Sequence, residues 1–453
     1  MDETSLRAHL ELAVSAEPPL GHLVGNSLRA GRRLRRRRAI GAASLTALAV
    51  VLVSAVSALA ASADHAAGRP HPAATGQTPE TGTAFVAVGV STVVPISLST
   101  NTPGTPIQVP EGTDGPFITN DGVSRNGRII YEVGQEAINP RGIETTVAPI
   151  DTATDTAGRT ITIKGVANPL DFALAPDGKT AYLSAGDGRL FRINLATRTS
   201  SMVTGCSRFG CRDFALTPNG KSLYVISGDK SVVVIQTATS TMLTRIKLPA
   251  SSPGAPFNIG ITPDGKFAYV VDSLAGARPG TDSVVPIDLT TNTALPPIKI
   301  WAAGFTDGLV IAPDGKTAYV LSSRGVTAID TATNQAEATI KLPDSAGYAY
   351  YMVLAPNGRM LYVLTPRGIV PIRTASGTVL PTIKVPHLYT FTVMAITPDG
   401  RTIYVGADFT HRKPGHPFPS VVTAGVVPVS TATDTAGPFI NLGKGPESIA
   451  FGP

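Results

Sequence analysis

The chain has little charge, few aromatic side chains and almost no cysteine. Charged residues make up 15% of its 453 residues and aromatic residues 6%, and it has two cysteines and one tryptophan. Two cysteines without neighbouring histidines do not form a structural zinc site, and they are too few for a disulfide-rich scaffold. The sequence also lacks a Gly-rich phosphate loop, a haem motif, a Gly-x-Ser-x-Gly elbow and a local Ser/His/Asp set. No motif therefore predicts an enzyme.

The excess of positive charge is confined to one end of the chain. The formal net charge is +6, but residues 1–38 alone contain eight arginines against four acids. The remaining charge is spread thinly, without the basic stripe that a nucleic-acid-binding face requires. Binding to nucleic acid is therefore not predicted.

A short turn recurs along most of the chain, with a Tyr at a fixed offset after it. Its sequence is Ala-Pro-Asp-Gly-Lys at residues 175–179 and 312–316, and close variants occur in five other places. The tyrosines that follow are Tyr131, Tyr182, Tyr224, Tyr269, Tyr319, Tyr362 and Tyr404. Their spacing of roughly 42 to 51 residues is the period of a four-stranded propeller blade. The sequence therefore predicts an all-β propeller.

The recurring turn has a physical basis in its residue types. Proline presets the second position of a type I turn, Asp or Asn bonds its own backbone, and Gly accepts the positive φ that closes the hairpin. Apolar runs on both sides, such as residues 309–311 and 317–321, predict the paired strands. The turn aspartates are therefore assigned to structure, not to catalysis.

The two ends of the repeat region complement each other. Residues 85–88, 93–97 and 107–109 match a second, third and fourth strand, and no first strand precedes them. The segment Ser448-Ile449-Ala450-Phe451 near the C-terminus matches the missing first strand. Pairing of these segments would remove two free sheet edges. One split blade and seven intact ones predict eight blades, with seven as the alternative if the degenerate repeat near Asn126 is irregular.

The N-terminal part predicts a membrane anchor. Residues 39–63 are free of charge and rich in Ala, Val and Leu, and arginines precede them. A transmembrane helix here would leave residues 1–38 in the cytoplasm and place a flexible linker, residues 64–83, and a propeller, residues 84–453, outside the cell. The alternative is a cleaved signal peptide and a secreted protein. Outside the membrane, Cys206 and Cys211 are expected to form a disulfide.

The candidate site residues occupy equivalent or adjacent positions of the repeat, near the start of the first strand of a blade. Asp171, Asp213 and Asn258 lie five residues before the turn proline, and Asp307 and Glu447 lie one step earlier in other repeats. Their oxygens would converge at one mouth of the channel and could hold a polar ligand or a divalent cation. Three long connections, residues 134–144, 272–283 and 406–420, are predicted to enlarge the same rim as loops.

The repeat resembles a known family. Pro-Asp-Gly-Lys-Thr-Ala-Tyr-Val at residues 313–320, followed by Val326 to Asp330 and Thr-Ala-Thr-Asn, is similar to the YVTN-type β-propeller repeat of bacterial and archaeal surface and exported proteins. It is more distantly similar to lactonase-like propellers, whose catalytic residues have no match here. The linker, the predicted anchor and the long connections on one rim favour a binding or scaffolding module for a protein or cell-envelope ligand. The alternatives are a lactonase-like or other hydrolase, and a transmembrane sensor with a cytoplasmic docking segment.

Overall fold

The strands form eight antiparallel sheets arranged as the blades of a propeller. The computed structural model describes residues 82–89, 91–109, 114–138, 142–206, 210–249, 255–273, 282–300, 306–385, 390–411 and 420–453. We number the blades 1 to 8 along the chain, and the strands of each blade first to fourth from the centre outwards. First strands of neighbouring blades contact each other around a closed ring. The prediction of an all-β fold with eight blades is confirmed.

The ring is closed by the split blade. Blade 1 consists of the first strand Pro446–Gly452, the second Thr83–Val88, the third Thr92–Ser97 and the fourth Ile107–Gln108. The C-terminal strand pairs antiparallel with the second strand, which places Phe85 opposite Ala450 and Val86 opposite Ile449. The predicted pairing of the two ends in one split blade is therefore confirmed.

The other seven blades are continuous in sequence. Blade 2 comprises Asp114–Val123, Ile129–Ile138, Gly142–Asp151, Thr156–Ala157 and Ile161–Ile163. Blade 3 comprises Pro169–Leu174, Thr180–Ala185, Leu190–Asn194 and Thr199–Val203. Blade 4 comprises Cys211–Leu216, Ser222–Ser227, Ser231–Gln236 and Thr241–Lys247. Blade 5 comprises Ala255–Ile261, Phe267–Ser273, Ser283–Asp288, Thr293–Ala294 and Ile298–Lys299.

The last three intact blades follow the same plan. Blade 6 comprises Thr306–Ile311, Thr317–Ser322, Gly325–Asp330, Gln335–Ala336 and Ile340–Lys341, and the 3-10 helix Asp344–Ala346 follows it. Blade 7 comprises Tyr351–Leu354, Met360–Thr365, Gly368–Arg373 and Thr378–Val379. Blade 8 comprises Thr390–Ile396, Thr402–His411, Ser420–Ser430, Thr435–Ala436 and Ile440–Asn441.

The fourth strands differ from the prediction, because in several blades they are short or broken in two. Where they are, the third strand usually carries a proline at one fixed position, as at Pro95, Pro149, Pro286, Pro371 and Pro428. Proline has no N–H to donate, so the outer ladder is interrupted there. Blades 3 and 4 have Arg192 and Val234 at this position and keep continuous fourth strands. Blade 6 has Ala328 and is broken without a proline, which the third strand does not explain.

Neighbouring blades are joined on one face by the recurring tyrosines. We call this the lower face; it carries the Pro-Asp-Gly turns and the turns between third and fourth strands. Tyr224, Tyr269 and Tyr404 each donate a hydrogen bond to an Asn in the next blade. The acceptor oxygens are Oδ1 of Asn292 at 2.5 Å, of Asn334 at 2.7 Å and of Asn101 at 2.5 Å, respectively. The last of these bonds joins blade 8 to blade 1 and so fastens the ring a second time.

The predicted transmembrane helix, residues 39–63, lies outside the described residues, as do the cytoplasmic segment and most of the linker. Within the described ranges, no helix is long and apolar enough to cross a membrane.

In two of the three predicted long loops, the residues that the structure describes are strand. In blade 2 the second and third strands stay paired from Tyr131 and Pro149 out to Ile138 and Gly142, and in blade 8 the pairing runs out to His411 and Ser420. These hairpins extend beyond the ends of the neighbouring blades because the antiparallel ladder continues through segments that the sequence pattern suggested were loops. Asp272 pairs with Ser283 at the base of the third connection.

Candidate functional site at the channel mouth

The upper face, opposite the tyrosine bonds, carries the predicted site residues. The first strands of blades 3, 4 and 5 each contain a β-bulge near their start, and Asp171, Asp213 and Asn258 follow these bulges. A bulge inserts one residue and redirects the side chains next to it. All three side chains are more than nine-tenths buried, with exposed fractions of 8%, 7% and 6%. The structure therefore brings these three predicted residues into one sector.

Two of these side chains connect three consecutive blades. Asp171 in blade 3 is hydrogen-bonded through its side chain to Asp213 in blade 4. Oδ2 of Asp213 accepts a hydrogen bond of 3.0 Å from the N–H of Ile259 in blade 5, directly after Asn258. Each aspartate also accepts the N–H of the residue that follows it, at 2.9 Å. The buried carboxyl groups thus hold the first strands in register with one another.

The bond between the two carboxyl groups requires a proton on one of them. Burial is the largest cause that raises the pKa of Asp171, and the negative charge of Asp213 raises it further, while the N–H of Phe172 acts in the opposite direction. Two close carboxylates cannot both ionise at low cost, so one holds a proton that the pair shares. The pair can consequently donate and accept protons at one position.

The remaining two predicted residues occupy a different position in the strand. Asp307 in blade 6 and Glu447 in blade 1 are the inserted residues of their bulges, one step before the position of Asp171. Asp307 is described by its backbone alone, and Glu447 is half-buried. Asp307 in blade 6 and Glu447 in blade 1 lie outside blades 3, 4 and 5, which carry Asp171, Asp213 and Asn258. The predicted five-residue site is therefore divided.

An acidic pair that the sequence analysis missed lies in the same sector. Asp272 ends the second strand of blade 5, is fully buried and lies near Asp282, which is 2% exposed. The pKa of Asp272 is raised to about 6, chiefly by burial; Lys230 of blade 4 lowers it and the charge of Asp282 raises it. Blades 3, 4 and 6 have the small residues Ala185, Ser227 and Ser322 at this strand position. The acid in blade 5 differs from them, and this difference in the sequence marks Asp272 as a candidate site residue.

The upper rim between blades 3 and 4 is held by covalent and close backbone contacts. Cys206 and Cys211 form the predicted disulfide across the connection between these blades. The Cα atoms of Gly188 and Gly210 approach so closely that a β-carbon on Gly188 would lie 2.4 Å from Cα of Gly210. Both glycines have positive φ, 86° and 84°. These contacts fix the start of the first strand that carries Asp213.

Within the described ranges, no three His, Cys, Asp or Glu side chains gather closely enough to hold a metal ion. The oxygens of the sector, two proton-sharing carboxyl groups and one amide, are instead suited to a group that donates hydrogen bonds or carries positive charge.

Comparisons with known proteins identify the fold. No family model matches the sequence, and no curated protein matches it. Among solved structures, the chain is similar to dihydro-heme d1 dehydrogenase NirN in complex with DHE, with a TM-score of 0.61 and 14% identity over 84% of this chain and 79% of that one. It is also similar to Kuenenia stuttgartiensis hydrazine synthase, with a TM-score of 0.50 and 19% identity over 64% of this chain and 92% of that one. At these identities the likeness concerns the eight-bladed β-propeller fold alone.

Proposed function

We propose that this protein is an extracytoplasmic binding propeller whose ligand binds at the upper mouth of the channel. The carrying observation is the chain of hydrogen bonds from Asp171 through Asp213 to the backbone of blade 5. This sector combines rigidity with buried acidity, and preorganised polar groups bind with little loss of entropy. The ligand is a small molecule or peptide end with a cationic or hydrogen-bond-donating group.

The acidity of the sector supports this ligand class. Asp171, Asp213, Asp272 and Asp282 all lie in blades 3 to 5 and are all more than nine-tenths buried. Burial raises the pKa of Asp171 and of Asp272, and a neighbouring carboxylate raises each of them as well. A cation delivered by a ligand relieves this repulsion, and charge-assisted hydrogen bonds are about twice as strong as neutral ones.

Native mass spectrometry of the protein purified from its own source tests this proposal. The wild-type chain is expected to retain a small molecule that the Asp171→Asn/Asp213→Asn variant loses. Asp187→Asn serves as the matched control, because Asp187 is in blade 3 but pairs with Arg189 at the surface. A wild-type mass equal to that of the bare chain, or equal retention by the double variant, would contradict the proposal.

We propose further that the N-terminal apolar run anchors the propeller outside the membrane. The Cys206–Cys211 disulfide supports this location, since disulfides persist in oxidising compartments. The arginines before residue 39 support the orientation. Protease treatment of intact cells is expected to degrade the propeller and to protect a tag placed before Met1. Recovery of the propeller in the culture medium, beginning near Asp64, would instead identify the secreted form.

A second candidate function is a hydrolase at the same mouth. The proton shared by Asp171 and Asp213 favours it, because a coupled carboxyl pair can act as general acid and general base. An enzyme would turn over an ester or lactone with a rate that falls when either aspartate becomes Asn. A binding module would show no turnover and would lose only its affinity.

A further inference from the structure

One position of the repeat is apolar in every blade except blade 2. It directly follows the recurring aromatic residue of the second strand and faces the preceding blade. Seven blades have Val or Leu there: Val86, Leu183, Val225, Val270, Val320, Val363 and Val405, all at most 1% exposed. Blade 2 has Glu132, which is also fully buried. A buried carboxyl group at an apolar position of a repeat needs a specific explanation.

Glu132 faces the seam between blade 2 and the split blade. Ile130, two residues earlier, and Ala148, its cross-strand neighbour, both pack with Phe85 and Ala450 of blade 1. Side chains alternate along a strand, so Glu132 is directed into the same seam. It therefore lies against the blade that the C-terminal strand completes.

The carboxyl group of Glu132 has no hydrogen-bond partner among the described residues. Both of its oxygens are buried and unbonded, and so is Oγ1 of Thr146 in the adjacent strand. Buried polar atoms without partners are rare, because each loses its hydrogen bonds to water and gains none in return. Three unsatisfied oxygen atoms in one seam indicate an occupant that supplies the missing interactions.

A glycine provides the space between these oxygens. A β-carbon on Gly134 would lie 3.3 Å from Oγ1 of Thr146, 3.5 Å from Oε1 of Glu132 and 3.9 Å from Oε2. All three oxygens thus lie within 4 Å of the position that a β-carbon would take at Gly134. The side chain at this strand position in other blades, such as Ala185 or Thr365, would occupy it.

We propose that Glu132 and Thr146 form a buried site for one monovalent metal cation, Na⁺ or K⁺, in the seam between blades 1 and 2. The ligands are the two carboxylate oxygens and the threonine hydroxyl, which are oxygen donors of the kind that hard cations prefer. A single positive charge neutralises the single carboxylate, whereas a divalent ion would leave net charge buried in an apolar seam. The cation would fasten the blade where the two ends of the propeller meet.

The titration of Glu132 gives the site a dependence on pH. Burial alone raises the pKa of Glu132 to about 8, with no contribution from another charged group. The described hydrophobic cluster of this seam includes Phe85, Ala87, Ile107 and Ala450. A proton therefore competes with the metal ion, and cation binding strengthens as the pH rises past this value.

Thermal unfolding of the full chain in different chloride salts tests the proposal. At about pH 9 and equal ionic strength, NaCl or KCl is expected to raise the wild-type unfolding midpoint by ~2 °C or more over choline chloride. At about pH 6 the rise should vanish, because the proton occupies the carboxylate. Glu132→Gln and Glu132→Val should lose the rise and Thr146→Val should reduce it. Glu144→Gln, an acid in the same hairpin, should keep it.

Equal midpoints in all salts at about pH 9 would overturn the cation site and leave Glu132 as a buried neutral acid. A rise that persists in Glu132→Gln would also overturn it. A rise produced by CaCl₂ and not by NaCl or KCl would overturn the monovalent assignment. If the Glu132 variants do not fold, the salt comparison on the wild type and on Thr146→Val still tests the cation site. The ²³Na relaxation rate is a second measurement. Thr146→Val should lower that rate towards the value of free sodium.

Discussion

The lower and upper faces of the propeller differ in how closely they follow the repeat. On the lower face, Asp-Gly turns and Tyr-to-Asn hydrogen bonds recur from blade to blade. On the upper face, each blade carries different residues: a carboxyl pair in blades 3 and 4, an acidic pair in blade 5 and a long hairpin in blades 2 and 8. The lower face therefore carries the shared architecture, and the upper face carries what distinguishes this protein.

We expect the largest loss of stability from removing the C-terminal strand Pro446–Gly452, which runs between the lower and upper faces and closes the ring. Ending the chain at Gly445 deletes the first strand of blade 1 and leaves its second strand, Thr83–Val88, as an open sheet edge. We expect the unfolding midpoint to fall by at least ~10 °C or the protein to aggregate, since blade 1 loses its contacts with the first strands of blades 2 and 8 and the ring opens there. Deleting residues 2–9, an equal length outside the propeller, is the control. An unchanged midpoint after the C-terminal deletion would show that the ring does not need its closing strand.

The closing strand also shows how much of the fold the sequence predicts. The apolar pattern around Ile449 and the absence of a first strand before Phe85 were sufficient to predict the split blade and its pairing. The broken fourth strands were not predicted, because their cause is in the neighbouring strand, where Pro95 and its equivalents lack an N–H. The hairpin beyond Gly134 was taken for a loop because its residues show no alternation of apolar and polar side chains.

Substitutions of Asp213 test how much its hydrogen bonds stabilise the upper face, and we expect the next largest effect from them. Asp213→Ala removes the acceptor of the Ile259 N–H and the partner of Asp171, so we expect a loss of about 3 kcal/mol in the free energy of unfolding. Asp213→Asn retains an acceptor for Ile259 and should cost less. Equilibrium urea unfolding measures both. Equal costs for the two variants would mean that the inter-blade bond to Ile259 does not stabilise the fold.

The same pair gives a pH dependence of known sign. The folded-state pKa of Asp171 is raised, so the folded protein holds a proton that the unfolded chain releases. Its contribution to stability is complete below the ordinary Asp pKa and is lost as the pH rises through the raised value. Asp171→Asn should flatten that part of the stability profile, while Asp187→Asn at the surface should not. A profile that is as steep in Asp171→Asn as in the wild type would contradict the shared proton.

The candidate site was predicted less completely than the fold. The position five residues before the turn proline correctly grouped Asp171, Asp213 and Asn258, because equal positions in adjacent blades meet on one face. It could not show that Asp213 reaches Ile259, since a β-bulge sets that direction. Asp272 and Glu132 lie in second strands, away from the recurring turns, and only an alignment of each strand position across the blades distinguishes them from the small or apolar residues elsewhere.

Loss of the disulfide should have a smaller effect, again confined to the upper face. The Cys206–Cys211 loop is short, and the chain-entropy estimate for such a loop is ~2 kcal/mol. We expect Cys206→Ser/Cys211→Ser to lower the free energy of unfolding by about this amount. The exchange rates of lower-face amides, such as that of Gly265, should stay the same in native-state hydrogen exchange. Faster exchange of those amides would show that the two faces are not independent.

The smallest effect distinguishes the tyrosine bonds of the lower face from one another. Tyr269→Phe removes the 2.7 Å hydrogen bond to Asn334 and should cost about 1 kcal/mol, with little change in packing. Tyr131→Phe is the matched control and should cost less, because burial is the only cause that raises the pKa of Tyr131 and no hydrogen bond of its hydroxyl contributes. Phe85 occupies the corresponding position in blade 1, fully buried, which shows that the ring alone can fill this space. If both variants lose the same free energy of unfolding in urea, the repeated tyrosine stabilises the propeller by packing, and its bond to asparagine adds nothing measurable.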